Sequence, residues 1–358
     1  MQPVENLIRQ LPPLDLLEEA LSRDPATVLP DTLLMSSEPG TAGSTPPQGD
    51  ADISVVAPAP EAVRAGLVRN ARRAIARIRR ESVHAELPPA EHQALEAIVV
   101  ATGRPAILIM NGTFTAVPTG WEILEQVRPD IERTARSVGR IEVTGHPALE
   151  WVGTGFLAGR NALMTNRHVA KEFARKKSAK TWVFEPGMTA RVDYREEIGA
   201  IDGLEFEITG IIGVHDDFDL ALLRVAPRSA RGDRLPPPLP IATRPPATDR
   251  GRRVYVIGYP AWDGRRNDPD VMARIFANIF NVKRLQPGEI LQIRTSEGIL
   301  EHDCSTLGGN SGSCVVDMET HRVIGLHFSG RYLQANQAIA LWRLQDDPLL
   351  RRARVHFL

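Results

Sequence analysis

Apolar and polar residues alternate with two different periods along this chain. Near the N-terminus the spacing is helical: Leu7, Leu11, Leu14, Leu17 and Leu21 recur every three or four residues, interrupted by Pro12-Pro13, and predict one or two short helices. Glu61 to Val83 forms a clear amphipathic pattern. Val63, Leu67, Ala71, Ala74, Ile75 and Ile78 share one side, while Arg64, Arg69, Arg72, Arg73, Arg77, Arg79 and Arg80 crowd the remainder. A further helix is expected near Pro89–Thr102, with proline at its start and Gly103 at its end, and another over Trp121–Val138. Between these, Ala106–Met110 reads as a short strand. From Ser36 to about Pro60 the chain turns to Pro, Gly, Ser, Thr and Ala, the composition of a flexible linker.

From Arg140 the period shortens. Apolar runs at Trp151–Leu157, Ala162–Thr165, Thr181–Phe184, Phe206–Val214, Leu220–Val225, Arg253–Ile257, Ile290–Arg294, Ser313–Val316 and Val323–Phe328 are separated by turn residues. So many short strands argue for an all-β barrel or sandwich. Pro236-Pro237-Pro238 and Pro245-Pro246 mark the crossing between two halves, and Ala338–Arg352 closes with a short helix. The expected organisation is a flexible segment and linker over 1–60, a small helical module over 61–138 and a β domain over 139–358.

Composition narrows the function classes. The chain has 358 residues, 42% of them hydrophobic, and a net charge of −1, so bulk electrostatics favours neither nucleic acid nor a membrane surface. No apolar run is long enough to span a bilayer, and Pro12, Pro13 and Asp15 interrupt any secretory pattern, so a cytoplasmic setting is expected. Cys304 and Cys314 match no metal-ligand spacing; they are expected as reduced core residues, with a disulfide between them left open. No metal or cofactor is expected.

Three stretches carry the chemistry. Thr306-Leu307-Gly308-Gly309-Asn310-Ser311-Gly312-Ser313 sets a serine among glycines ahead of an apolar strand. Such a turn can expose a nucleophile and aim backbone N–H groups at one point. Thr165-Asn166-Arg167-His168-Val169 presents an imidazole after a strand. Asp217-Phe218-Asp219-Leu220-Ala221-Leu222-Leu223 sets an acid before a strongly apolar strand. A serine hydroxyl needs a base to become a nucleophile, an imidazole titrates in the right range, and a carboxylate fixes its tautomer. Asp216 and Asp217 compete with Asp219, which directly precedes the strand. Ser305 and Ser313 lack the Gly-x-Ser-Gly turn.

The motifs T-N-R-H-V, D-F-D-L-A-L-L and G-N-S-G-S resemble those of the trypsin-like, chymotrypsin-fold serine peptidases, in particular their bacterial glutamyl-endopeptidase-like and HtrA-like branches. The resemblance covers about 140–350. It implies two six-stranded antiparallel barrels, with His168 as general base, Asp219 orienting it, Ser311 as nucleophile and the Gly309 and Ser311 amides as oxyanion hole. It also implies an S1 pocket of Ser305, Thr306 and His327. Ser305 stands where an acid would select Lys or Arg, so a preference for Glu or Gln at P1 is expected; the alternative is that His327 is only a strand residue. The implied partner is a protein or peptide substrate, with 1–138 available for regulation by a protein partner. The competing readings are an inactive trypsin-like scaffold, or a nucleic-acid-associated protein acting through the Arg-rich helix.

Overall fold

The computed structural model describes residues 11, 14–23, 25–29, 60–98, 105–114, 117–118, 120–178, 181–262, 272, 275–331 and 335–358. The expected linker at 36–60 lies outside these residues but for Pro60. Two compact units emerge. One comprises Met1–Pro105, Val117–Glu122 and Asn267–Ile279; the other comprises Ala106–Ala116, Ile123–Arg266 and Phe280–Leu358.

The first unit is helical. Leu14–Arg23, Pro25–Val28, Pro60–Glu81 and Pro89–Ile98 bury Leu17, Leu21, Val28, Ala71, Ala74, Ile75, Ile78 and Leu95 in a core of their own. The apolar stripe read from the sequence is the buried one. The arginine face is largely engaged within the unit: Arg64 donates to Leu29 O, Arg72 to Leu21 O, and Arg77 to Glu91 at 3.1 Å, while Arg79 pairs with Asp15 and Glu18.

The second unit contains two closed rings of antiparallel strands. The first barrel runs β3 (Val138–Thr144), β4 (Trp151–Gly159), β5 (Ala162–Thr165), β8 (Thr189–Asp193), β9 (Glu205–Val214) and β10 (Ala221–Val225), hydrogen-bonded in the order β10-β5-β4-β3-β8-β9 and closed by β10 with β9. Leu157, Leu163, Val192, Phe206, Ala221 and Leu223 fill it. The second ring is β11 (Arg253–Gly258), β14 (Cys314–Asp317), β15 (Val323–Arg331), β16 (Ala335–Ala340), β13 (Ile299–His302) and β12 (Arg284–Arg294), closed by β11 with β12. Val254, Val256, Leu300, Cys304, Val315 and Ala338 lie inside. Two six-stranded barrels are therefore present, as the resemblance implied. A separate hairpin, β6 (Ala174–Ser178) with β7 (Thr181–Phe184), follows the turn that carries His168.

The boundary between units falls earlier than the expected 138/139. β1 (Ile107–Met110) pairs with β12 through Ile107↔Leu285, so it extends the barrel sheet. The expected single helix over 121–138 is two, Ile123–Gln126 and Arg128–Ala135, with Pro129 in the first turn of the second. Proline lacks the N–H an interior position needs but fits a first turn. That second helix is bound to the barrels by the Thr134 hydroxyl on Tyr255 and by the fully buried Lys283, whose ammonium donates to Ala135 O at 2.9 Å and Tyr194 O at 2.6 Å beside Glu197 at 3.2 Å. Among the described residues, no helix is long and apolar enough to cross a membrane.

Candidate active site

β5 ends at Thr165, Asn166 continues extended, and the chain turns into the short helix Arg167–Lys171. Val169 and Ala170 point into the core, which leaves the His168 ring on the exposed side. Asp219 stands two residues before β10, the strand that pairs with β5, so the two residues meet across neighbouring strand ends. Its Oδ2 lies 2.6 Å from His168 Nδ1, and its Oδ1 accepts the His168 backbone N–H at 2.9 Å. A carboxylate held at both oxygens fixes the ring plane and places the Nδ1 proton toward itself. Partial burial pushes the Asp219 carboxyl up, but the bonds and charge of His168 outweigh it and hold it below the usual carboxylate value. Asp216 and Asp217 are exposed.

Ser311 follows a single 3-10 turn, Gly308–Asn310. Its position is set by small residues. Gly312 has φ +92°, and a Cβ there would overlap Thr154 O and Thr165 Oγ1. The Ser311 carbonyl accepts the Thr154 N–H at 2.9 Å, and the Thr154 hydroxyl donates to Gly309 O at 2.8 Å. A Cβ built on Gly153 would sit 2.9 Å from Val169 Cγ2 and 3.0 Å from Ser311 O. The serine turn from the second barrel is thus seated on β4, whose Gly153 lies between Ser311 O and Val169 of the helix that carries His168.

One detail differs from expectation. The Ser311 N–H, expected to face an oxyanion, donates to Gly308 O at 3.3 Å. A 3-10 turn directs each carbonyl at the amide three residues on, so this turn uses the donor internally. Asn310 beside it is fully buried, with neither Nδ2 nor Oδ1 bonded among the described residues.

The expected S1 residues gather near this turn. Ser305 is buried, and the Thr306 hydroxyl donates to Asn336 Oδ1 at 2.8 Å, whose Nδ2 donates to Cys304 O. His327 brackets the nucleophile turn, its carbonyl accepting from Gly312 N and its N–H donating to Ser313 O. His302 Nε2 lies 3.3 Å from His327 Nδ1. Burial, with the charge of His168 adding to it, pushes His327 down to about 3; burial likewise holds His302 well below its ordinary value. Both rings are therefore neutral at ordinary pH. His302 and Asn336 carry no motif and are brought in only by the closure of the second ring. Cys304 and Cys314 are free and buried, and burial pushes the Cys314 thiol up to about 12. Glu142, Asp193 and Glu196 cluster closely enough to hold a cation, but Glu142 already pairs with Arg140 and Arg191 at 2.6 Å each.

Residues 153–326 match the trypsin-like peptidase domain. A Lysobacter enzymogenes protein named "Probable serine protease" is 27% identical over 319 residues, 78% of this chain and 80% of that protein. A glutamyl endopeptidase of Staphylococcus epidermidis is 29% identical over 180 residues, half of this chain and 54% of that protein. Among solved structures, the serine endoprotease from Yersinia pestis aligns with a TM-score of 0.42 at 18% identity, covering 66% of this chain and 68% of that one.

Proposed function

Because the chain carries a trypsin-like serine peptidase domain, we propose that it is an endopeptidase in which Ser311 attacks the scissile carbonyl, His168 takes and returns the proton, and Asp219 orients His168. The observation that carries this reading is the doubly bonded Asp219–His168 pair, together with the Ser311 turn hydrogen-bonded to Thr154 of β4, the strand whose Gly153 faces both Ser311 O and Val169 of the His168 helix. With its Nδ1 proton directed at Asp219, His168 has Nε2 available as the base. Ser311 then acylates, and the same imidazole protonates the leaving amine before water releases the acyl group.

The oxyanion formed on attack calls for the amides of Gly309 and Ser311. The Ser311 amide is engaged with Gly308 O, so the working conformation requires the Gly308–Gly309 peptide to rotate and release it. Two consecutive glycines allow that rotation without a side-chain penalty.

The P1 preference follows from His327. His302 Nε2 and His327 Nδ1 share one proton between them; in the tautomer in which neutral His302 donates it, the His327 Nε2–H is left to donate to a substrate. A buried donor suits the carboxylate of Glu or the carboxamide of Gln and offers nothing to a cation. The Staphylococcus relative named a glutamyl endopeptidase supports the same choice. Two free cysteines are consistent with a reducing, intracellular setting. The helical unit, with a core of its own, is assigned to regulation by a protein partner.

The test is labelling of the full chain with a fluorophosphonate, followed by peptide mapping, together with Ser311→Ala. Label on Ser311 and a fall in peptide hydrolysis of about 10⁴-fold are expected. Wild-type turnover in Ser311→Ala would remove Ser311 from the mechanism.

A further inference from the structure

Asp219 is carried on a turn, His215–Asp219, that leaves β9 and enters β10. The orientation of the catalytic imidazole depends on that turn, so what holds it matters. Asn166, fully buried, donates from Nδ2 to Asp219 O at 3.0 Å. Arg167 Nη1 donates to His215 O at 3.1 Å and Asp216 O at 2.8 Å. These two residues precede His168 directly and tie its element to the acid's turn.

The inside of the turn is held by a second imidazole. His215 Nδ1 accepts two backbone N–H groups, those of Asp217 and Phe218, at 3.1 Å each. A ring nitrogen that accepts carries no proton, so the proton of the neutral ring is on Nε2. His215 Nε2 faces Asp347 Oδ2 at 3.3 Å, and both side chains are mostly buried, 9% and 19% exposed. Asp347 is fixed in turn, since its Oδ1 accepts the N–H groups of Leu349 and Leu350 at the start of the helix Pro348–Arg352. That helix is anchored on β9 by Arg352 donating to Ile212 O at 3.0 Å.

We propose that His215 and Asp347 form a second His–carboxylate pair that acts as a positioning device for Asp219: Asp347 selects the His215 tautomer, and that tautomer holds the turn that presents Asp219 to His168. The inference rests on the catalytic role assigned above to His168 and Asp219. Neither His215 nor Asp347 touches substrate; both act through Asp219.

Asp347→Asn separates this role from helix capping. The new amide oxygen can still accept from Leu349 and Leu350, but its NH₂ then faces His215 Nε2 and demands an acceptor there. The ring proton would move to Nδ1, against two N–H donors. A displaced Asp219 should lower kcat about 10- to 100-fold, with KM changed less than about two-fold and the thermal midpoint nearly retained. The low-field proton resonance of the His168–Asp219 bond should shift or vanish. His215→Asn repairs the defect, because an asparagine oxygen accepts the amides two and three residues ahead without needing Asp347. The double variant His215→Asn/Asp347→Asn should return to within about three-fold of the parent kcat, which a general loss of packing would not do.

Asp219→Asn is the reference. If it lowers kcat steeply while Asp347→Asn leaves kcat and the resonance unchanged, or while the double variant stays as impaired as the single one, the positioning inference is overturned and the triad stands. If Asp219→Asn itself leaves kcat unchanged, the triad assignment fails first. Should Asp347→Asn not fold, His215→Ala compared with His215→Asn decides: a lowered kcat and a shifted resonance in the alanine variant, both restored in the asparagine variant, support the inference, and near-parent kcat in the alanine variant or equal impairment in both overturns it.

Discussion

Acid should weaken this fold through the buried histidines behind the nucleophile, and His327 allows the size of the effect to be worked out. In the folded chain burial depresses its value from 6.5 to about 3. Below 6.5 the unfolded chain takes up a proton that the folded chain refuses, so the stabilisation is fully present above 6.5 and is lost progressively as pH falls toward about 3. At pH 4.5, two units below the unfolded value, the loss is about 2.7 kcal/mol from this residue, at about 1.36 kcal/mol per unit. The ring is 3% exposed, so solvent screening reduces this little. His302 shifts in the same direction and adds to the slope. The assay is urea unfolding at pH 7.5 and 4.5, in a Ser311→Ala background to prevent self-digestion, with and without His327→Asn. The variant changes absolute stability at both pH values, but the pH-dependent part should shrink by about 2.7 kcal/mol, while carboxylate contributions cancel. Equal pH-dependent losses in the two proteins, within about 0.5 kcal/mol, would refute the reasoning.

His327→Ala should also flatten the preference for Glu over other P1 residues, read by profiling a peptide library; an unchanged profile would show that P1 is read elsewhere. Lys283→Met should cost about 3–5 kcal/mol by leaving Glu197 buried without its cation, and Lys283→Met/Glu197→Gln should cost less than that single change. Urea midpoints of the single and double variants check this, and a double variant as unstable as the single would show that the cost lies in packing.

The parts legible in the sequence are those whose determinants are local. His168, Asp219 and Ser311 each sit in a short motif at a strand end, and each expected apolar run overlaps a strand. β6 was hidden because Ala174–Ser178 is exposed and basic, with no apolar face to read. β16 was hidden because Asn336 and Gln337 break its apolar run; it is defined by its pairing with β13 and β15. His302 and His327 lie 25 residues apart, on strands joined through β16, so their contact follows from ring closure rather than from spacing. The motif gave the identity of the serine turn but not its hydrogen bonding: peptide orientation at Gly308-Gly309 depends on a free-energy balance that composition does not record.

That balance has a consequence for throughput. If the Ser311 amide serves the oxyanion as proposed, then while Gly308 O holds it peptides of every sequence meet the same incomplete site. Each 1.4 kcal/mol or so by which the closed turn is favoured divides kcat/KM about tenfold for all of them alike. The ratio between a good and a poor peptide would be untouched, because both would draw on the same open population. Anything that biases the turn open would raise the turnover of all substrates by one common factor. On the proposed mechanism the S1 pocket would govern which bonds are cut, and the two glycines how much cutting is done.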